Sequence, residues 1–257
     1  MEININCDLG EKSKLHSDHN DPELLSIVNS ANIACGYHAG DEETMNKVIQ
    51  ISKKNNVSIG AHPSFKDIEN FGRKRQNLNS SEIKKLIINQ YEILQAVASK
   101  HNEKVTHIKP HGALNNMACE DMELSITIAK TIVEIDKNLI YLVPTGSKME
   151  TAGNKYNLNI ACEIFADRNY EDDGNLVSRL KENALITDPN LAKSHVLKMV
   201  KNQSLNCLSG KQIPCKIDSI CIHGDNRSSL DTARIIKNEL RENGLTLKPL
   251  NEMKKFK

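Results

Sequence analysis

The sequence predicts an α/β protein: an irregular parallel (β/α) barrel of about seven strands, in one domain spanning residues 1–257. Three observations carry the prediction. Short apolar runs alternate with amphipathic helical stretches, the pattern of parallel strands joined by right-handed crossovers. No shift of composition and no flexible linker interrupts that alternation. Polar motifs follow the apolar runs at seven places, and a closed barrel gathers all such strand ends around one mouth. An open doubly wound sheet would concentrate them at a single switch point.

The elements follow in order. Ile3-Asn4-Ile5-Asn6-Cys7 alternates as a strand does, and Asp8-Leu9-Gly10-Glu11 stands at its end. Asp21-Pro22 opens a short helix as cap and first helical residue. Residues 31–35 form a second strand. They run through a turn, Gly36-Tyr37-His38-Ala39-Gly40, into a helix capped by Asp41. Glu42 and Glu43 suit the positive end of that helix, and Met45, Val48, Ile49 and Ser52 form its inner face. Residues 57–61 are a third strand, ending in His62-Pro63-Ser64.

A polar loop carrying Phe71-Gly72-Arg73 leads to a long helix, with Ser80 or Ser81 as cap and Ile83, Leu86, Ile87, Leu94 and Val97 on one side. Residues 105–109 form a fourth strand, followed by Pro110-His111-Gly112, and a helix is expected over 121–136. Residues 139–143 are a fifth strand, closed by Pro144-Thr145-Gly146 and followed by a short helix. Residues 160–165 are a sixth, ending in Ala166-Asp167-Arg168. After an irregular polar stretch over 169–183, Asp188-Pro189 starts another helix. Residues 217–222 are a seventh strand, with His223-Gly224-Asp225 at its end. A last helix begins at Ser228 or Ser229 and stops at Gly244, and 245–250 reads as an eighth strand or a closing extension.

Composition narrows the function. Thirty-four basic residues face 33 acidic ones, so nothing favours nucleic acid or an anionic membrane as partner. Hydrophobic residues are 39%, and no run is long enough to span a bilayer. The N-terminus lacks the pattern of a signal peptide, which points to the cytoplasm. The seven cysteines contain no Cys-x-x-Cys pair and are read as reduced thiols. Aromatics are only 4%, a poor supply for stacking on bases or sugars. A GxxxxGK(S/T) loop, a GxGxxG fingerprint and a GxSxG elbow are all missing, which disfavours P-loop ATPases, typical dehydrogenases and α/β-hydrolases.

The residues at the strand ends are Asp8, His38, His62, Lys109, His111, Glu163, Asp167, Arg168, His223 and Asp225. Singly, such a histidine is more often a structural hydrogen-bonder, and such an aspartate a helix cap. As a set they carry more weight, because four of nine histidines fall just past strands beside a glycine or proline. Of the others, His101 and His195 read as surface residues and His107 as packing within a strand. Imidazoles beside carboxylates serve proton transfer or hold a metal that activates water. Asp8, His38, His62, His111 and His223 are the candidate ligands, from separate strands, so spacing alone leaves a metal open. Lys109 suits an oxyanion or a buried ion pair with Glu163 or Asp167. Arg168 suits a substrate carboxylate or a clamp on Asp167 or Glu171.

Six blocks together carry a resemblance: INCDLGE at 5–11, ANIACGYHAGD at 31–41, IGAHPSF at 59–65 with FGR at 71–73, KPHGAL at 109–114, EIFADRNY with DGNLVSR over 163–179, and ICIHGDN at 220–226. In this order they resemble the lactam-utilisation family, the 5-oxoprolinase A subunits, over nearly the whole chain. The resemblance implies an irregular (β/α) barrel like that of sugar deacetylases. It implies a part in the ATP-dependent opening of 5-oxo-L-proline to L-glutamate, with two further subunits, B and C. It places the site on Asp8, His38, His62, Lys109, His111, Glu163, His223 and Asp225, with Arg73, Asp167 and Arg168 toward substrate. The chain has no recognisable ATP loop, so ATP, with Mg, is expected to be held largely by the partners. The chain departs from the family at Lys12-Ser13-Lys14, Glu42, Asn115-Asn116 and Asn226-Arg227, all on loop positions of the motifs. Two other readings remain: a stand-alone metal-dependent amide hydrolase or deacetylase, and a non-catalytic subunit that binds small acids.

Overall fold

The computed structural model describes residues 1–13, 20–222 and 229–257. Its first strand, β1 (Glu2–Leu9), explains both surfaces of the sheet. Ile3, Ile5, Cys7 and Leu9 point outward into the main hydrophobic core. Asn4, Asn6 and Asp8 point inward, where their side chains reach neighbouring strands. The alternation read in the sequence is therefore apolar toward the helices and polar toward the barrel interior.

Six further strands complete the barrel: β2 (Ser30–Ala34), β3 (Ser58–His62), β4 (Val105–Ile108), β5 (Ile140–Pro144), β6 (Asn159–Phe165) and, after the short β7 (Ser204–Asn206) and β8 (Gln212–Pro214), β9 (Ser219–Cys221). All seven pair in parallel, and β9 returns to β1 with Asn4 opposite Ser219, which closes the sheet. The expected seven-strand parallel barrel is the observed fold. Parallel strands covered on both faces are buried throughout, as β2 and β3 are.

The interior holds a hydrogen-bonded column. Asn4 donates to Ser30 Oγ at 2.8 Å, and Asn6 to Ser219 Oγ at 2.8 Å. Asn32 donates to Asn6 Oδ1 and Asp8 Oδ1 at 2.8 and 2.7 Å, and His107 Nε2 meets Asn32 Oδ1 at 3.0 Å. Gly60 makes room for that histidine: a Cβ there would lie 2.1 Å from His107 Nε2. Residues 245–250 resolve into the closing extension. β10 (Thr246–Leu247) adds to the start of β1, and Leu250 and Met253 then pack on Ile140, Leu142 and Ala161.

The helices are α1 (Asp21–Leu25), α2 (Glu42–Lys54), α3 (Ser80–Lys100), α4 (Gly112–Glu120), α5 (Met122–Ile135), α6 (Lys148–Lys155), α7 (Pro189–Asn202) and α8 (Ser229–Glu242). Four local readings differ from the sequence. Asp21 is the first residue of α1 and not its cap: Asn20 precedes the helix, no side chain caps it, and the Asp21 carboxylate accepts from Gly10 N at 2.9 Å. α3 is capped by Asn79, not Ser80 or Ser81; the Asn79 side chain accepts from Ser81 and Glu82, and Glu82 reaches back to the Asn79 amide. α4 was not expected, since Gly112 and Asn115-Asn116 are weak helix formers; burial of Ala113, Leu114 and Ala118 overrides that preference. The β7–β8 hairpin escaped because three-residue strands carry no readable period. No helix among the described residues is long and apolar enough to cross a membrane, and all seven cysteines are free.

Candidate active site

The C-terminal ends of β1, β3 and β4 and the turn after β2 meet at the barrel mouth. Gly10, at φ +70°, turns the chain after Leu9 and brings Glu11 inward. The turn carrying His38 docks on that segment: Gly40 N donates to Lys12 O at 3.0 Å. A Cβ on Gly40 would sit 2.5 Å from Gly10 O, so this approach requires glycine. His62 ends β3, and His111 follows β4 as the N-cap residue of α4.

Glu11 is the centre of the cluster. Its Oε1 lies 3.1 Å from His38 Nε2, 3.1 Å from His111 Nδ1 and 3.7 Å from His62 Nε2. His62 Nε2 is also 3.3 Å from Asp8 Oδ2 and 3.0 Å from His111 Nδ1. The backbone fixes two tautomers. His62 Nδ1 donates to Lys109 O at 2.7 Å, and His111 Nε2 donates to Phe71 O at 2.9 Å. In the neutral rings, the other nitrogens therefore turn lone pairs toward each other and toward the carboxylates. The cluster calls for a cation, either a proton or a metal. Glu11, His38 and His111 have one donor atom each within 4.8 Å of one another, and this imidazole–carboxylate set fits a divalent transition metal. Burial pushes the Glu11 carboxyl up, but His111 and then His38 hold it well below the usual range. Burial, then His111, lowers His38 to about 3, so this ring is neutral.

Lys109 sits beneath, inside the barrel. Its Nζ lies 3.0 Å from Asp8 Oδ1, 3.1 Å from Glu163 Oε2 and 3.1 Å from Cys221 Sγ. Burial disfavours its charge; Asp8 and the other neighbours outweigh that and hold the ammonium well above its ordinary pKa. Burial raises the Glu163 carboxyl. Lys109 thus forms the buried ion pair with Glu163 that the sequence allowed, and Asp8 shares it.

A cavity of about 780 Å³ opens above this floor. Asp8, Glu11, His62, Lys109 and His111 line its base, and Arg73 and Arg168 line its walls. His38, Glu163 and Asp167 are absent from that lining: His38 stands behind Glu11, and Glu163 lies below Lys109. Arg168 is 7% exposed, donates from Nη2 to Val177 O at 2.6 Å, and has a buried Nε with no partner. The clamp foreseen with Glu171 does not form, since Glu171 is paired with Lys181 at 2.8 Å; the charge of Asp167 does act on Arg168. His223 and Asp225 lie outside the described residues. His195 is not a surface residue: its ring stacks on Tyr170 and its Nε2 is buried. Sequence reasoning missed Glu11 as a site residue. The signal was present, an acid one residue past a glycine turn at a strand end, within a block already singled out.

Fold and site together define a class: a closed parallel (β/α) barrel with an acid–imidazole cluster at its C-terminal mouth. Residues 3–255 match the LamB/YcsF family. The chain belongs to that family. It is 41% identical over 255 residues to a 5-oxoprolinase A subunit from Nitrobacter hamburgensis, covering 99% of this chain and 100% of that one. A lactam utilization protein from Thermus thermophilus has the same fold, with TM-score 0.90, 31% identity, and 97% of this chain and 100% of that one covered. A peptidoglycan deacetylase from Bacillus subtilis shares the barrel alone, at TM-score 0.51 and 12% identity, with 99% and 90% covered.

Proposed function

We propose that this chain is the lactam-opening subunit of an ATP-dependent 5-oxoprolinase, converting 5-oxo-L-proline to L-glutamate as ATP becomes ADP and phosphate. The observation that carries the reading is end-to-end likeness to subunits of that name. The site supplies matching chemistry. Asp8 and His62, 3.3 Å apart, take a proton from the attacking water and return it to the ring nitrogen as the C–N bond breaks. Arg168, a buried cation whose Nε has no hydrogen-bond partner, meets the substrate carboxylate. Lys109 fixes Asp8 and is a positioning residue. Two further subunits, B and C, hold most of the nucleotide and its Mg. A divalent metal held by Glu11, His38 and His111 would polarise the carbonyl and lower the pKa of bound water.

The test is glutamate release from 5-oxoproline by the purified chain, with and without ATP and the two partner subunits. Glutamate and ADP formed in equal amounts, only in the full mixture, is the expected result. Absence of glutamate, with the partners proven active beside another A subunit, would overturn the reading. The donor set of Glu11, His38 and His111 favours one second reading, a metal-dependent amide hydrolase acting alone. Hydrolysis of an amide by the isolated chain without ATP, abolished by a chelator, would select it.

A further inference from the structure

We propose that Asn115 reads the amide edge of the substrate and selects a cyclic amide over an open-chain one. The proposal deepens the 5-oxoprolinase reading and rests on it for the identity of the ring. The place of the carboxamide in the cavity rests on geometry.

α4 shows one stripe to the cavity. Gly112, Asn115, Asn116 and Cys119 stand at the i, i+3, i+4 and i+7 positions of the helix, and all four line the cavity. Ala113, Leu114 and Ala118 turn to the main core instead. His111 precedes Asn115 by one turn, and its carbonyl accepts from Asn115 N at 3.3 Å. The stripe therefore begins beside the acid–imidazole cluster to which His111 belongs. The end of the helix is already tied down, since Ala113 N donates to Gly72 O at 2.9 Å. The group left for a ligand is the Asn115 side chain.

That side chain stands in a costly state. Asn115 is 6% exposed, its Oδ1 has no partner, and its Nδ2 makes only a 3.5 Å contact with Asn116 Oδ1. Asn4, Asn6, Asn32 and Gln90 are buried carboxamides too, and each is bonded at both its oxygen and its nitrogen. A leucine has nearly the shape of asparagine and would fill the same space without an unmatched polar group. Packing alone therefore does not call for asparagine here, and a polar ligand in the cavity does.

The chemistry of the edge names the ligand class. A five-membered lactam holds its amide cis, so its N–H and its carbonyl lie side by side on one edge. A carboxamide carries the complement, a carbonyl that accepts beside an N–H that donates. The two edges pair through two hydrogen bonds. These lie in the amide plane and leave both faces of the carbonyl carbon open to attack. An open-chain secondary amide is trans, with N–H and carbonyl on opposite sides, and gives the same edge only one bond. A lactone has no N–H and leaves Oδ1 unpaired. A site that leaves its own polar group unpaired rejects the wrong ligand strongly.

Ligand-observed NMR on the purified chain tests this without the partners. The probes are 5-oxo-L-proline, 2-pyrrolidinone, γ-butyrolactone and N-methylacetamide. The ring amide 2-pyrrolidinone is expected to bind about tenfold more tightly than the lactone or the open-chain amide. Asn115→Leu is expected to erase that preference. Without ligand, the same variant is expected to raise the urea midpoint, because it removes an unmatched buried amide. An asparagine with a purely structural role gives the opposite sign. A preference that survives in the variant, or a lowered midpoint, overturns the proposal. If the ring-amide preference depends on Asn115 but 5-oxo-L-proline binds no better than 2-pyrrolidinone, Asn115 keeps its role and the 5-oxoproline reading fails.

Discussion

Lys109 shows how one residue organises the floor of the site. Its ammonium is buried between Asp8 and Glu163, and the carbonyl of the same residue fixes the His62 tautomer. Losing the ammonium leaves the buried Glu163 and its neighbour Asp8 without the cation they share. Lys109→Met is expected to lower stability by about 3–5 kcal/mol, the cost of breaking a buried ion pair from one side. Adding Glu163→Gln should restore part of the loss, because it removes one uncompensated charge. Urea midpoints of the single and double variants check this, and a double variant no more stable than the single would refute the shared-charge account. The sequence offered Lys109 both as an oxyanion binder and as an ion-pair partner. Only distances choose, because both roles need a lysine at a strand end.

At the scale of elements, α3 gives a clean comparison between pattern and structure. Two serines stand where a cap is wanted, and the preceding Asn79 takes the role because Glu82 completes a reciprocal pair with it. Asn79→Ala should cost about 1 kcal/mol, while Ser80→Ala should cost little, read as shifts in the urea midpoint. Equal losses at both positions would contradict the observed cap. Most strands were legible because parallel strands covered on both sides read as short apolar runs, as residues 31–34 and 140–143 do. α4 was not legible. Its residues gain their helical state from packing against the barrel, and packing is invisible to local preference.

For the whole molecule, buried neutral histidines tie the fold to pH. Burial lowers His195 from 6.5 to about 4, and the Tyr170 ring lies against it at 6.3 Å. In the unfolded chain this imidazole takes up its proton near its ordinary pKa, before the folded one does. The stability it contributes is therefore complete above pH 6.5 and is lost as pH falls toward about 4. The loss reaches up to about 3 kcal/mol for this one group. His195→Gln should flatten the stability profile between neutral pH and pH 4.5. An unchanged slope would show that His195 does not carry that dependence.

The sequence by itself determined the class of fold, the order of its strands and the set of polar residues at their ends. These follow from local chemistry: apolar runs of strand length, helical spacing between them, and glycine, proline, histidine and aspartate where each strand must stop and turn. The tertiary structure decided what those residues do. It closed β9 on β1, brought Glu11 from the β1 loop against His38, His62 and His111, and sank Glu163 beneath Lys109. It also left Arg168 and Asn115 buried with unmatched polar atoms in one cavity. Distances between side chains on different strands depend on the barrel's closure and register, and no stretch of chain encodes them locally.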